Sequence, residues 1–171
     1  MWHLLQQIRK VGIISEPAPS ADAAMLQREL QEQIARVFGR ALAIRQVDAG
    51  SCNGCELEIQ ALHNPYYNLE GMGIRFVASP RHADALLVTG PVSRHMAQAL
   101  RRTYEATPEP KLVIAVGDCG MCGGVFGESY ASLGAVANVI PVDVAIPGCP
   151  PTPTALLQGI LAAVGKRAKE P

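Results

Sequence analysis

The sequence has no net charge: 15 lysines and arginines stand against 15 aspartates and glutamates in 171 residues. That balance argues against a nucleic-acid binder, which carries a basic excess on its contact face. No stretch approaches the ~20 consecutive apolar residues of a membrane span. The opening MWHLLQQIRK has no basic leader before its apolar part and no small-residue cleavage site, so no secretion signal is expected. No internal repeat or low-complexity tract is found, and neither a GxGxxG nor a P-loop lysine pattern is present. Hydrophobic residues make up 49%, which excludes a disordered tail. A chain of this length buries enough surface to fold without disulfides. A cytoplasmic setting is expected, in which the five cysteines stay reduced and serve metal binding or catalysis.

What is present alternates in type along the chain. Trp2, Leu4, Leu5, Ile8 and Val11 recur at helical spacing. EPAPSAD (16–22) reads as a linker. A helix over 23–39 carries Leu26, Leu30, Ile34 and Val37 on one stripe and closes at Gly39. The expected organisation is a helical docking segment and linker over 1–39, then an α/β domain over 40–171. In that domain, strands are predicted at 42–47, 74–77, 85–89, 112–116 and 142–146. Helices are predicted just after Cys55, over 92–106, and from Pro153 with Thr152 as N-cap. The region 123–138 is short and Gly-rich. Runs such as LVIAV lack alternation, as parallel strands covered on both faces do. The fold class is α/β, a doubly wound parallel sheet.

The cysteines follow strands. Cys52 and Cys55 come after the first, Cys119 after LVIAVGD, and Cys149 after VDVAIPG. In open α/β sheets the carboxyl ends of the strands are where ligands bind. Three uses of the thiols compete. Four thiolates can hold an iron–sulfur cluster. The pairs Cys52-x-x-Cys55 and Cys119-x-x-Cys122 can hold zinc, although zinc ribbons usually set their pairs much closer. A single CxxC can act as a redox dithiol, which leaves the other cysteine loops unexplained. The motifs GSCNG, VGDCGMCGG and IPGCPPTP are dense in Gly and Pro. Such backbone can approach a bulky inorganic core and donate amides to its sulfurs.

CNGCELEI, SPRHADALLVTGPVSRHM, GDCGMCGGVFGESY and PGCPPTPTALLQGIL occur in this order over roughly 40–165. Together they resemble the small electron-transfer subunit of membrane-bound, energy-converting nickel–iron hydrogenases. The same motifs resemble the homologous subunit of proton-pumping NADH–quinone oxidoreductases. The resemblance implies a flavodoxin-like fold with the cysteine-bearing loops at the carboxyl edge of the sheet. It implies one 4Fe-4S cluster held by Cys52, Cys55, Cys119 and Cys149 at the junction with a large catalytic subunit. The expected partners are that nickel–iron subunit, a ferredoxin-like iron–sulfur subunit and membrane-arm subunits, with no nucleic acid. The expected place is peripheral, on the cytoplasmic side of the cell membrane. The quinone-reducing branch has its first two cysteines adjacent. Here Asn53 and Gly54 separate them, as in formate hydrogenlyase and its relatives. A quinone-reducing or nickel-free complex remains the alternative, and a zinc-stabilised binding module is the alternative of another class. No cysteine follows Cys149, so other proteins are expected to carry electrons onward.

Further residues have expected roles. Cys122 stands where the family pattern has no obligatory cysteine and reads as a spare thiol. Glu58 falls where the family has glutamate, as a proton relay or as a partner holding the loop. Glu56 reads as solvated or interfacial. Arg81, His82 and Arg94 are expected either to tune the cluster, by favouring its reduced form, or to face solvent and subunits. Ser93 and His95 are not expected to be catalytic, and no flavin is expected because the cysteine loops occupy that edge.

Overall fold

The structure, a computed structural model, describes residues 21–168 together with Trp2, Gln6 and Arg9. Those three are helical and exposed. The rest of the helix expected through Leu4, Leu5, Ile8 and Val11, and most of the 16–22 linker, lie outside the described residues.

Among the described residues the strands are β1 (Leu42–Asp48), β2 (Ile74–Phe76), β3 (Ala85–Thr89), β4 (Leu112–Val116) and β5 (Val144–Ile146). The helices are α1 (Ala21–Phe38), α2 (Gly54–Ala61), α3 (Arg94–Ala106), α4 (Gly117–Cys122) and α5 (Pro153–Arg167). The strands form one sheet in the order β2-β1-β3-β4-β5, every pair parallel. This is the flavodoxin-like order.

The register explains the two cores. Successive strand residues point to opposite faces. Ile44, Leu87 and Ile114 pack on one face with Leu30 and Ile34 of α1, Ile59 of α2, and Leu156 and Ile160 of α5. Val47, Leu86, Val88 and Val113 pack on the other with Ala97 and Leu100 of α3. All five positions of β3 and of β4 are buried, and all are apolar except Thr89, whose hydroxyl donates to Val47 O at 3.3 Å.

Caps fix where helices start. The Ser93 hydroxyl accepts from Met96 N–H at 3.2 Å and opens α3. The Thr152 hydroxyl accepts from Ala155 N–H at 3.2 Å and opens α5, with Pro153 in its first turn. Apart from shifts of one or two residues at other element ends, the structure departs from the predicted elements in three places. β5 begins two residues later than predicted, because the Asp143 carboxylate caps Val113 N–H at 2.8 Å and its own N–H bonds Val113 O at 2.9 Å. The short helix near Cys55 starts ahead of it, at Gly54. Finally, GDCGMC forms α4, which has two glycines and too few residues to show a period.

Because all strands run one way, every chain segment leaving a strand emerges at the same edge. Among the described residues no helix is long and apolar enough to cross a membrane.

Candidate functional site

The carboxyl edge collects all five cysteines. Cys52 follows β1, Cys55 lies in the first turn of α2, Cys119 and Cys122 lie in α4 directly after β4, and Cys149 follows β5. None is in a disulfide: Cys55 is buried, Cys119 half-buried, and Cys52, Cys122 and Cys149 exposed.

Short-range hydrogen bonds shape these loops. The Asp48 carboxylate accepts from Gly50 and Ser51 N–H, both at 2.8 Å, and turns the chain out of β1. The Ser51 hydroxyl accepts from Asn53 N–H at 3.1 Å. Asn53 adopts the left-handed conformation (φ 72°) and starts α2. Two ties join the next loops. Asp118 N–H donates to Gly148 O at 2.9 Å, and the Asp118 carboxylate accepts from Gly148 N–H at 2.8 Å. The Cys119 loop and the Cys149 loop are thus bonded at the residue just before each cysteine.

Glycine makes the close approach possible. A Cβ on Gly117 would lie 2.7 Å from Cys55 Sγ and 3.2 Å from Gly148 O. One on Gly124 would lie 2.7 Å from Cys119 Sγ. A Cβ on Gly54 would lie 3.6 Å from Cys52 Sγ and 3.9 Å from Pro150 Cβ. Cys55 thus sits against the Cys119 and Cys149 loops, and the Cys52 turn against the Cys149 loop.

The thiols share one electrostatic field. Burial pushes the Cys55 thiol up to about 11, followed by the charge of Glu56 and then by Cys119, Cys52 and Cys149. Burial also raises Cys119, followed by Cys149, Cys52, Asp118 and Cys122. Each of these neighbours is an acid, so burial and mutual repulsion both disfavour ionising the thiols together. Among the described residues, no three His, Cys, Asp or Glu side chains close on one point where a single ion would sit.

Cys122 is engaged differently. Its Sγ donates back to Asp118 O at 3.1 Å, along its own helix.

Glu56 corrects the sequence reading. It is not solvated but 6% exposed, and neither carboxylate oxygen has a hydrogen-bond partner. Leu57, next to it, is 57% exposed. The signal that could have found Glu56 is its place beside Cys55 on a helix whose next residue, Leu57, has no use for water. An unpaired buried carboxylate costs free energy. Glu56→Met, apolar and of similar volume, is therefore expected to stabilise the metal-free chain by about 1–3 kcal/mol. Thermal unfolding reads this as a rise of several degrees, and a fall in midpoint would mean that the carboxylate is paired after all. Glu58, on the same helix, is half-buried.

The proposed tuning residues do not share one place. Arg81 and His82 lie in a 3-10 turn (Pro80–His82) that precedes β3, at the amino edge of the sheet. With Arg40, Arg75 and Asp84 they line an open cleft of about 610 Å³ there, and Arg40 is paired to Asp84. The five residues of β3, at roughly 3.3 Å each, separate that edge from the cysteines. Arg94 is at the cysteine edge, where its Nε and Nη2 donate to Ser129 O at 3.3 and 3.1 Å. It holds the loop after α4, which carries the exposed Val125, Phe126 and Tyr130.

The family described as "NADH ubiquinone oxidoreductase, 20 Kd subunit" matches residues 52–163, a span that includes all five cysteines. The chain belongs to this family. Its relatives include the probable membrane-bound hydrogenase subunit mbhJ of Pyrococcus furiosus, 47% identical over 137 residues that cover 80% of this chain and 82% of the relative. Formate hydrogenlyase subunit 7 of Escherichia coli is 44% identical over 136 residues, covering 80% of this chain and 53% of that longer protein. Among solved structures, a chain of the membrane-bound sulfane sulfur reductase, an archaeal respiratory membrane complex, superposes with a TM-score of 0.67 at 35% identity. That match covers 81% of this chain and 76% of the other. As a member of the 20 Kd subunit family, the chain is a component of an oxidoreductase complex, with the sheet order and cysteine-bearing edge described above.

Proposed function

We propose that this chain is the electron-relay subunit of a membrane-bound nickel–iron hydrogenase complex. In this reading it holds one 4Fe-4S cluster through Cys52, Cys55, Cys119 and Cys149. It stands between a ferredoxin-like iron–sulfur subunit and the large catalytic subunit, peripheral to the membrane on its cytoplasmic side. The observation that carries the reading is the meeting of thiols from three separate loops in one field, across glycines that leave no room for a Cβ. When bound, such a cluster supplies one-electron transfer.

The donor set fits that group. Each iron takes one thiolate, so the ligands need to surround a volume. The chain's own contribution is to deliver the thiols, hold them by the Asp48 and Asp118 bonds, and exclude water around Cys55. The exposed Leu57, Met121, Val125, Phe126 and Tyr130 near the same edge are apolar surface suited to cover by the large subunit. Glu58 is proposed as the proton-relay residue on α2, and Arg94 as the cation held at this edge. Arg81 and His82 are proposed to face solvent or other subunits.

The test is composition. Full-length chain purified without oxygen is expected to carry roughly four irons and four acid-labile sulfides, with broad visible absorbance. Stoichiometric zinc without sulfide defeats the reading. The family description favours one second reading, the equivalent relay in a quinone-reducing or nickel-free complex. The sequence of the large partner separates the two, since only a hydrogenase partner needs two CxxC pairs to hold nickel.

A further inference from the structure

We propose that Asp118 is the positioning residue that joins the Cys119 and Cys149 ligands into one unit and biases the bound cluster toward its oxidised form. This rests on the cluster reading above. Cys149 arrives on the loop after β5 and Cys119 on α4 after β4, so no covalent proximity fixes their separation. The two bonds between Asp118 and Gly148 do: one runs from N–H to carbonyl at 2.9 Å, the other from N–H to carboxylate at 2.8 Å. Each bonded residue immediately precedes one of the two cysteines. A pair of opposed bonds resists both sliding and rotation, which a single bond does not.

The same geometry has an electrostatic consequence. The carboxylate acts on Cys119 from the preceding position. It also accepts the Gly148 N–H at 2.8 Å, which holds the charge at the junction of the two loops. Donors to sulfur favour the reduced form and negative charge disfavours it. The charge of Asp118, fixed beside Cys119, therefore favours the oxidised form.

Two variants separate position from charge. Asp118→Asn keeps an oxygen acceptor for Gly148 N–H and removes the charge. Asp118→Ala removes both. Full-length chains are to be prepared without oxygen, with iron and sulfide counted per chain and the midpoint potential followed by electron paramagnetic resonance. Asp118→Asn is expected to load as the wild type does, with its midpoint moved positive. Asp118→Ala is expected to retain less than half the wild-type iron while its far-ultraviolet circular dichroism stays native. A fully loaded Asp118→Ala chain, or an Asp118→Asn chain with an unchanged midpoint, overturns the proposal. If Asp118→Ala does not fold, Asp118→Asn alone decides by its loading and its midpoint. Wild-type chain without sulfide would sink the cluster reading itself, an outcome distinct from any of these.

Discussion

Cys149→Ala is expected to abolish the four-iron, four-sulfide composition while Cys122→Ala leaves it intact. The two thiols differ in what holds them. Cys122 is spent on the Asp118 carbonyl of its own helix turn. It is the weakest of the charges acting on Cys119. Cys149 acts on both thiols, as the strongest neighbouring charge at Cys119 and the weakest at Cys55. Its loop is fastened to α4 through Gly148, so the thiol is delivered to a set position. Iron and sulfide analysis of both variants, prepared side by side without oxygen, reads the result. Loss of cluster in Cys122→Ala with retention in Cys149→Ala would replace the ligand set with the two CxxC pairs.

Gly117→Ala is expected to be nearly as damaging, for a steric reason. Gly117 has φ +78°, where a side chain costs about 1–2 kcal/mol on backbone grounds alone. The added methyl would then meet Cys55 Sγ at 2.7 Å and Gly148 O at 3.2 Å. Something must move, and either movement displaces a thiol-bearing segment. The expected result is a fall in thermal midpoint together with lost iron. Gly165→Ala is the matched control. It lies in α5, has no positive φ, and its added methyl would have nothing within 4 Å. A helical glycine replaced by alanine gains about 1 kcal/mol, so this variant is expected to melt slightly higher and load normally. Equal behaviour of the two variants would remove the steric argument.

Much of this fold was legible because its strands have no choice of composition. β3 and β4 are buried on both faces, so their bounds in the sequence reading and in the structure coincide. The α5 start was legible through Thr152 and Pro153, whose chemistry acts within one turn of chain, whereas the Ser93 cap that sets the α3 start two residues later than predicted was not read. α4 was not legible: six residues with two glycines carry no periodic signal, and its helicity comes from packing on β4 and β5. Glu56 was misread for a related reason. Ordinary patterning puts the leucine in and the glutamate out, and α2 does the reverse, as chains do where a site overrides local preference. The edge that Arg81 and His82 occupy was legible but not drawn: they precede the strand predicted at 85–89, and in a parallel sheet that places them at the amino edge, away from the cysteines.

The position of β5 at the end of the sheet order has a consequence for biogenesis. With Cys149 as the fourth ligand, a growing polypeptide lacks a complete iron-binding set until its last strand has joined the sheet. An unfinished copy would therefore hold at most three of the four proposed ligands, Cys52, Cys55 and Cys119.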